Sequence, residues 1–498
     1  MPEMSSRRRY LVLAICCMSL FIVGMDATIV NVALPSIGRD FHAPVSGLQW
    51  TVDSYLLVIA SLLMLSGSVA DRVGRRKIFQ IGLTVFTLGS LACSVAPSLG
   101  TLVAFRAVQA VGGSMLNPVA MSIVTNTFTD PKERAKAIGF WGSTFGVSVA
   151  AGPVIGGALV DSVGWRGVFW VNIPVGVAAI ILTALYVPES RAAIKRRLDP
   201  VGQILVMLTL VTMTYGIIEG PSRGWTSAPI LGCFAVALAA LAALLGWEPR
   251  RAEPLIDVRF FRSLPFSGAA ATAITAMAAF SGFLFLITLY LQEVRGYRPL
   301  VAGLFLLPMA VAMAVSAPLC GRMLGRRGPR LPLVIAGTGI TLGGVMLVFI
   351  TASSPVWYVL ISCLVLGLGM GWVNAPITNS AVAGMPRSRA GTAAGIASTS
   401  RQVGSSLGVA VVGSVLVAGL HGSLATGFAT ATRPAWWLVA AMGAVVLALA
   451  LATTGRAGRA SAARTAELIE QAESRVPAVV GADASAGASA GAGAGSAV

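Results

Sequence analysis

Apolar positions along this 498-residue chain fall into blocks of about twenty, separated by short stretches that mix turn residues with charge. At 1.5 Å rise per residue, about 20 apolar residues cross a hydrocarbon layer roughly 30 Å thick. The pattern predicts fourteen membrane-spanning helices, over 10–32, 48–70, 78–97, 101–125, 136–160, 166–187, 201–219, 228–247, 265–291, 299–321, 331–351, 355–378, 392–419 and 434–454. The first block follows Arg7, Arg8 and Arg9, as a secretory leader would. It is longer than the roughly 7–15 residues of a leader's apolar region and no small-x-small cleavage pattern follows, so it reads as a retained first helix.

Charge placement orients the spans. Of the 36 Lys and Arg residues, 28 fall in the termini and the alternate loops that share their side, whereas the opposite loops hold six: Arg39, Arg166, Arg223, Arg295, Arg298 and Arg433. Basic residues accumulate on the cytoplasmic side, so the expectation is a multi-pass protein of the cytoplasmic membrane with both termini cytoplasmic. A miscount by one span would scramble this asymmetry. Only 11% of residues are charged against about 25% in soluble domains, so a water-soluble fold is excluded.

The net charge of +17 suggests nucleic acid in a soluble protein, but here the bases lie in short loops against apolar spans. That distribution fits anionic lipid headgroups and not nucleic-acid binding. The six cysteines sit inside apolar blocks, as small core residues would. No phosphate-binding loop is present, which argues against ATP as the energy source. His42 and His421 are isolated, with no metal-ligand spacing, so no metal or cofactor and no enzymatic activity are expected.

The two halves echo each other. Gly67-Ser-Val-Ala-Asp71-Arg72-Val-Gly74-Arg75-Arg76 follows the second span, and Gly321-Arg322-Met-Leu-Gly325-Arg326-Arg327 follows the tenth. Duplicated helical units with a site at their interface are a recurring transporter architecture. The organisation expected is a cytoplasmic N-terminus (1–9), a six-helix bundle (10–187), a linker with two extra spans (188–262), a second six-helix bundle (263–455) and a disordered cytoplasmic tail (456–498). Within that tail, 456–475 is mixed in composition and compatible with helix, while 481–498 is nearly all Ala, Gly and Ser.

A few polar side chains stand at membrane depth. Each ionisable one costs at least about 2.5–3.5 kcal/mol there, so it should face a cavity or a partner. Asp26 lies deep in the first span, and Arg106 in the fourth, with Gln109, Gly113 and Asn117 following at helical spacing on one face. The plain alternative is a buried ion pair or an interfacial residue. Asp53, Glu219 and Arg401 are weaker cavity candidates, the first two lying close enough to span ends to be solvated. In the fifth span, Gly142, Gly146, Ala150, Pro153 and Gly157 form a stripe that should let a neighbouring helix come close, and Pro153 should bend the axis. The same spacing also serves ordinary membrane-helix packing.

Several of these stretches carry a family resemblance. Gly67, Asp71, Arg72, Gly74, Arg75 and Arg76 match the loop signature of the major facilitator superfamily, where the loop acts as a latch that holds one face closed. Asp26-Ala-Thr-Ile-Val-Asn31-Val-Ala-Leu-Pro35 resembles the first-helix signature of its fourteen-span drug:proton antiporters, and Arg106-Ala-Val-Gln109-Ala-Val-Gly112-Gly113 its arginine motif, with Ala110 where glycine is usual. Gly142-Ser-Thr-Phe-Gly146, continuing to Gly152-Pro153-Val-Ile-Gly156-Gly157, is similar to the fifth-helix signature of antiporters, and Trp165 to Pro174 to the segment that follows. The resemblance, over about 10–455, implies two six-helix bundles plus two extra spans, rocking about a central cavity. It implies proton-coupled efflux of drugs, antibiotics or lipophilic small molecules by a monomer, with Asp26 and Arg106 at the proton site. An exporter of an endogenous metabolite or amino acid on the same scaffold, and a membrane sensor or enzyme without transport, are the other readings.

Overall fold

The structure, a computed structural model, describes residues 5–191, 199–251, 254–386, 389–420 and 424–474. His421, the loop bases Lys195, Arg196 and Arg197, and the tail beyond Ser474 lie outside the described residues. Fourteen helices among the described residues are long and apolar enough to cross a membrane. They are α1 (Ser6–Phe41), α2 (Val45–Val73), α3 (Arg75–Ser94), α4 (Leu99–Thr127), α5 (Lys132–Val163), α6 (Gly167–Tyr186), α7 (Pro200–Arg223) and α8 (Ala228–Arg250). The second half adds α9 (Leu264–Val294), α10 (Pro299–Arg327), α11 (Arg330–Val348), α12 (Val356–Val382), α13 (Ala390–Gly419) and α14 (Gly427–Thr453). The count agrees with the hydropathy reading, and the helices run past the apolar blocks because polar first turns are capped. Ser98 accepts from Thr101 N in a capping box, Asp130 from Lys132 N and Glu133 N, and Asp199 from Gly202 N.

Packing repeats with an offset of eight helices. α1 packs on α5, α2 on α4 and α3 on α6; likewise α9 packs on α13, α10 on α12 and α11 on α14. These are the two bundles expected. The extra pair α7–α8 packs on itself and lays α7 along the seam between α2 and α13. α7 is pinned to both bundles: Gln203 Nε2 donates to Ser61 O, Trp50 Nε1 donates to Glu219 Oε1 at 3.0 Å, and Ser414 Oγ donates to Ile217 O at 2.6 Å.

The bundles close against each other at the end of the molecule opposite the termini. Gln49 Nε2 on α2 donates to Val409 O and Ala410 O on α13 at 3.1 and 2.9 Å. Gln292 Nε2 on α9 donates to Val32 O on α1 at 2.9 Å, and Arg39 pairs with Glu293 at 2.7 Å. Leu300 N donates to Asp161 Oδ2 at 3.2 Å. Gly157 of α5 lies against the backbone of Pro299 and Leu300, and Gly303 of α10 against the backbone of Pro153, spacings that no larger residue allows.

Toward the terminus-bearing end the bundles part. A side-chain carbon at Gly142 or Gly146 of α5, or at Gly391 or Gly395 of α13, would meet nothing within 4 Å. The small-residue stripe in α5 therefore works differently along its length. Gly152, Gly156 and Gly157 sit in tight contact, the first two against Thr28, Met25 and Ile29 of α1. Close packing expected of Gly142 and Gly146 does not occur, because there α5 borders an open space.

The tail also differs from expectation. Arg456–Ser474 forms a helix, α15, with Ser461, Ala462, Thr465 and Ile469 buried on one face. Ser461 Oγ accepts from Leu264 N at the start of α9, and Gly384, in the left-handed region at φ +75, packs on Ala462. Disorder is thus corrected for this stretch: a periodic apolar face docks where a mixed composition reads as solvated.

Candidate functional site

Asp26, on the inner face of α1, is fully buried, and Arg106 of α4 is 1% exposed. Arg106 Nη1 donates to Asp26 Oδ2 at 2.6 Å and also to Gln109 Oε1 at 2.7 Å. The other carboxylate oxygen, Oδ1, accepts from Gln109 Nε2 and from Asn172 Nδ2 of α6, each at 2.9 Å. Both amides also donate to Ser90 Oγ of α3, at 2.7 and 3.3 Å. Arg106 Nε donates to Thr51 O of α2 at 3.3 Å, and its guanidinium lies 4.2 Å from the centre of the Tyr55 ring.

Local sequence explains why the groups converge. Arg106 and Gln109 are one helical turn apart, so both face α1. Gly89 leaves the α3 backbone flush against Gln109, which brings Ser90 within reach, and Gly113 leaves room for the Tyr55 hydroxyl. Five of the six helices of the first bundle thereby contribute one charge-balanced network. Its carboxylate has every donor it needs only while ionised. A proton reaching Asp26 removes the ion pair and leaves the guanidinium with Gln109, the Thr51 carbonyl and two aromatic rings. Breaking a buried pair from one side costs about 3–5 kcal/mol, enough to shift a packing equilibrium between two arrangements.

The family model of the Major Facilitator Superfamily matches residues 16–409. The chain belongs to this superfamily. Among curated relatives, the multidrug resistance protein Stp of Mycobacterium tuberculosis is 40% identical over 419 residues, 84% of this chain and 78% of Stp. The tetracenomycin C resistance and export protein of Streptomyces glaucescens is 36% identical over 411 residues, 81% of this chain and 75% of that one. The drug efflux pump JefA of M. tuberculosis is 34% identical over 427 residues, 84% and 83% of the two chains. Superfamily membership makes this chain a multi-pass membrane transporter, as its fourteen apolar helices require.

The superfamily loop is built within the first bundle. Asp71 Oδ1 accepts from Arg75 Nε and Nη2 at 3.0 and 2.8 Å. Gly74 takes φ +132, and a side chain there would strike the Glu189 carboxylate, which accepts from Arg76 N at 3.1 Å. Arg76 Nη2 donates to Ala184 O at 2.6 Å, and Arg75 N to Ser190 O at 2.9 Å. Arg72 is half-buried beside them, and Gly67 touches Pro118. These contacts tie the loop to the end of α6 and the residues just after it.

Other candidates separate. Asn117 does not join the Asp26 network; it is half-buried with its side-chain oxygen unpartnered. Asp53 is fully buried in the closed seam beside Ser406 of α13, both carboxyl oxygens without a hydrogen-bond partner, and is not solvated at a span end. Glu219 belongs to the α7 contact with Trp50 and Arg223. Arg401 donates to Thr378 Oγ1 of α12 at 3.4 Å, on the flank of α13 that packs against α9 at Gly404 and Gly408.

Ser90, Glu189 and Asn172 are not among the residues that the sequence singles out. Asn172 had a usable signal, a lone amide just inside an apolar span; a serine in a helix and a carboxylate after one carry none.

Proposed function

We propose that this transporter exports drug- or antibiotic-like, largely apolar small molecules across the cytoplasmic membrane in exchange for protons. The observation that carries the reading is the sealed Asp26–Arg106–Gln109–Asn172 network, a titratable centre held by five helices of one bundle. Relatives named for multidrug resistance and for tetracenomycin C export supply the direction and the substrate type. Both termini face the cytoplasm, since 28 of 36 bases lie on that side, and the structure is then the inward-facing state.

In this scheme substrate enters the open space bordered by α5 and α13 at Gly142, Gly146, Gly391 and Gly395. A proton exchanged at Asp26 releases α4 from α1, and the bundles rock so that the seam at Gln49, Asp53 and Ser406 parts while the latch end closes. Asp53, exposed only when that seam opens, is a second proton-exchanging group. One chain supplies both walls of the route, so a monomer suffices, and the proton gradient rather than ATP does the work.

The reading is tested in proteoliposomes with an imposed pH gradient and the fluorescent probe ethidium. Gradient-dependent movement in wild type and its loss in Asp26→Asn support it; movement in Asp26→Asn equal to wild type removes Asp26 from the mechanism.

A further inference from the structure

α10 begins without a cap of its own. Pro299 at its first position has no N–H, and Arg298, just before it, carries donors only and makes no side-chain cap bond. The N–H groups that a first helical turn leaves over therefore need an acceptor from elsewhere. Leu300 N finds one across the seam, donating to Asp161 Oδ2 on α5 at 3.2 Å. By contrast, α4, α5 and α7 are capped by Ser98, Asp130 and Asp199, each the residue next to the helix that it caps.

Local sequence puts Asp161 within reach. It follows Gly157 by four residues and so shares one face of α5 with it. Gly157 lets that face lie on the backbone of Pro299 and Leu300, where a side-chain carbon would come within 2.9 Å of Leu300 N. The Asp161 side chain is only 14% exposed, whereas Arg298, its ion-pair partner at 3.6 Å, is 76% exposed. A pair that open to solvent contributes little, so the bond to Leu300 N is the stronger half of the contact. That bond exists only while α5 and α10 meet. When they part, water takes over at Leu300 N and Asp161 loses its donor.

We propose that Asp161 is a positioning residue of the far seam: by capping α10 from the opposite bundle, it biases the transporter toward the facing in which that end is shut. In this role it touches no substrate and carries no proton. The assignment rests on the exporter reading for the existence of two facings, and adds to it the residue that sets their balance.

Two single-cysteine reporters, each in the full-length chain stripped of its six native cysteines, read that balance through the rate of maleimide labelling. Ser406→Cys lies in the closed seam, and Gly146→Cys borders the open space, where a side chain meets nothing within 4 Å. Asp161→Ala should speed labelling at 406 by about threefold to tenfold, as the loss of one helix cap allows, and slow it at 146. Asp161→Asn keeps an oxygen that can cap and should stay within about twofold of wild type. Arg298→Gln should stay there too, because the ion pair is exposed. An unchanged rate at 406 in Asp161→Ala overturns the proposal, and so does faster labelling at both reporters, which means a loosened fold. An effect of Asp161→Asn or Arg298→Gln equal to that of Asp161→Ala also overturns it, since charge and not capping would then hold the seam. Gradient-driven ethidium movement in wild-type proteoliposomes tests the exporter reading separately. Its absence sinks that reading and leaves the labelling result standing; movement without the labelling shift sinks the role of Asp161 alone.

Discussion

Arg106 meets the Asp26 carboxylate at 2.6 Å while its guanidinium rests 4.2 Å from the centre of the Tyr55 ring. The same cation is thus tied to α1 by charge and to α2 by its π face. Neutralising Asp26 loosens the first tie and not the second, so α4 stays with α2 as α1 is released. In the proposed exchange, that asymmetry lets a single proton change helix packing instead of merely weakening it.

Unequal consequences follow for the two partners. Asp26→Asn keeps the shape and leaves Arg106 its other acceptors, so the protein should fold and lose gradient-driven export. Arg106→Ala leaves a buried carboxylate with amide donors only and should cost about 3–5 kcal/mol. Thermal unfolding in detergent checks the pair: Arg106→Ala should melt well below Asp26→Asn, and equal melting would contradict the tie described.

Asn172 donates to the same oxygen of Asp26 that Gln109 does. Asn172→Leu removes that donor and places an apolar group against a buried carboxylate, a loss of about 1–3 kcal/mol. Because ionised Asp26 uses the bond, the variant should also slow gradient-driven export. Asn172→Asp, by contrast, sets two carboxylates on one site and should be far more damaging. The readout is export rate in proteoliposomes.

Much of this was legible in the chain. Fourteen apolar blocks and the alternation of bases gave the helix count, because hydrocarbon thickness fixes a length that composition must respect. Asp26 and Arg106 stood out because charge at that depth demands a reason. Arg401 stood out equally, yet its lack of a carboxylate partner is a fact of three dimensions. Asp53 was misplaced for the opposite reason: a residue near a span end reads as solvated until the neighbouring bundle is seen to cover it. Gly142 and Gly157 share one spacing, and nothing local tells which end of α5 borders open space.

Glu189 receives Arg76 N and fills the space left by Gly74. The contact is exposed, so Glu189→Gln should change stability by less than about 1 kcal/mol. Gly74→Ala is different, because it needs a left-handed backbone and strikes the Glu189 carboxylate. It should displace the loop from α6 and slow export without altering ethidium binding. Transport and ethidium fluorescence anisotropy measured on the same preparation separate these effects.

Gly303 packs its α-carbon on the Pro153 backbone across the far seam, with Gly157 on Pro299 and Leu300 one step away. Any side chain at 303 must push α5 from α10, and the contact exists only while that end is shut. A substitution there therefore destabilises one facing and leaves the other nearly untouched, unlike a core mutation, which weakens both. Gly303→Leu should shift the population toward the state in which Asp53 and Ser406 are reachable. A Ser406→Cys reporter in a protein lacking its six native cysteines should be protected from a membrane-impermeant maleimide in the Gly303 parent and labelled in Gly303→Leu. Equal labelling would mean that the α5–α10 contact is not part of the seal. Export should fall in the same variant, because a transporter biased to one facing cycles slowly however well each half is folded.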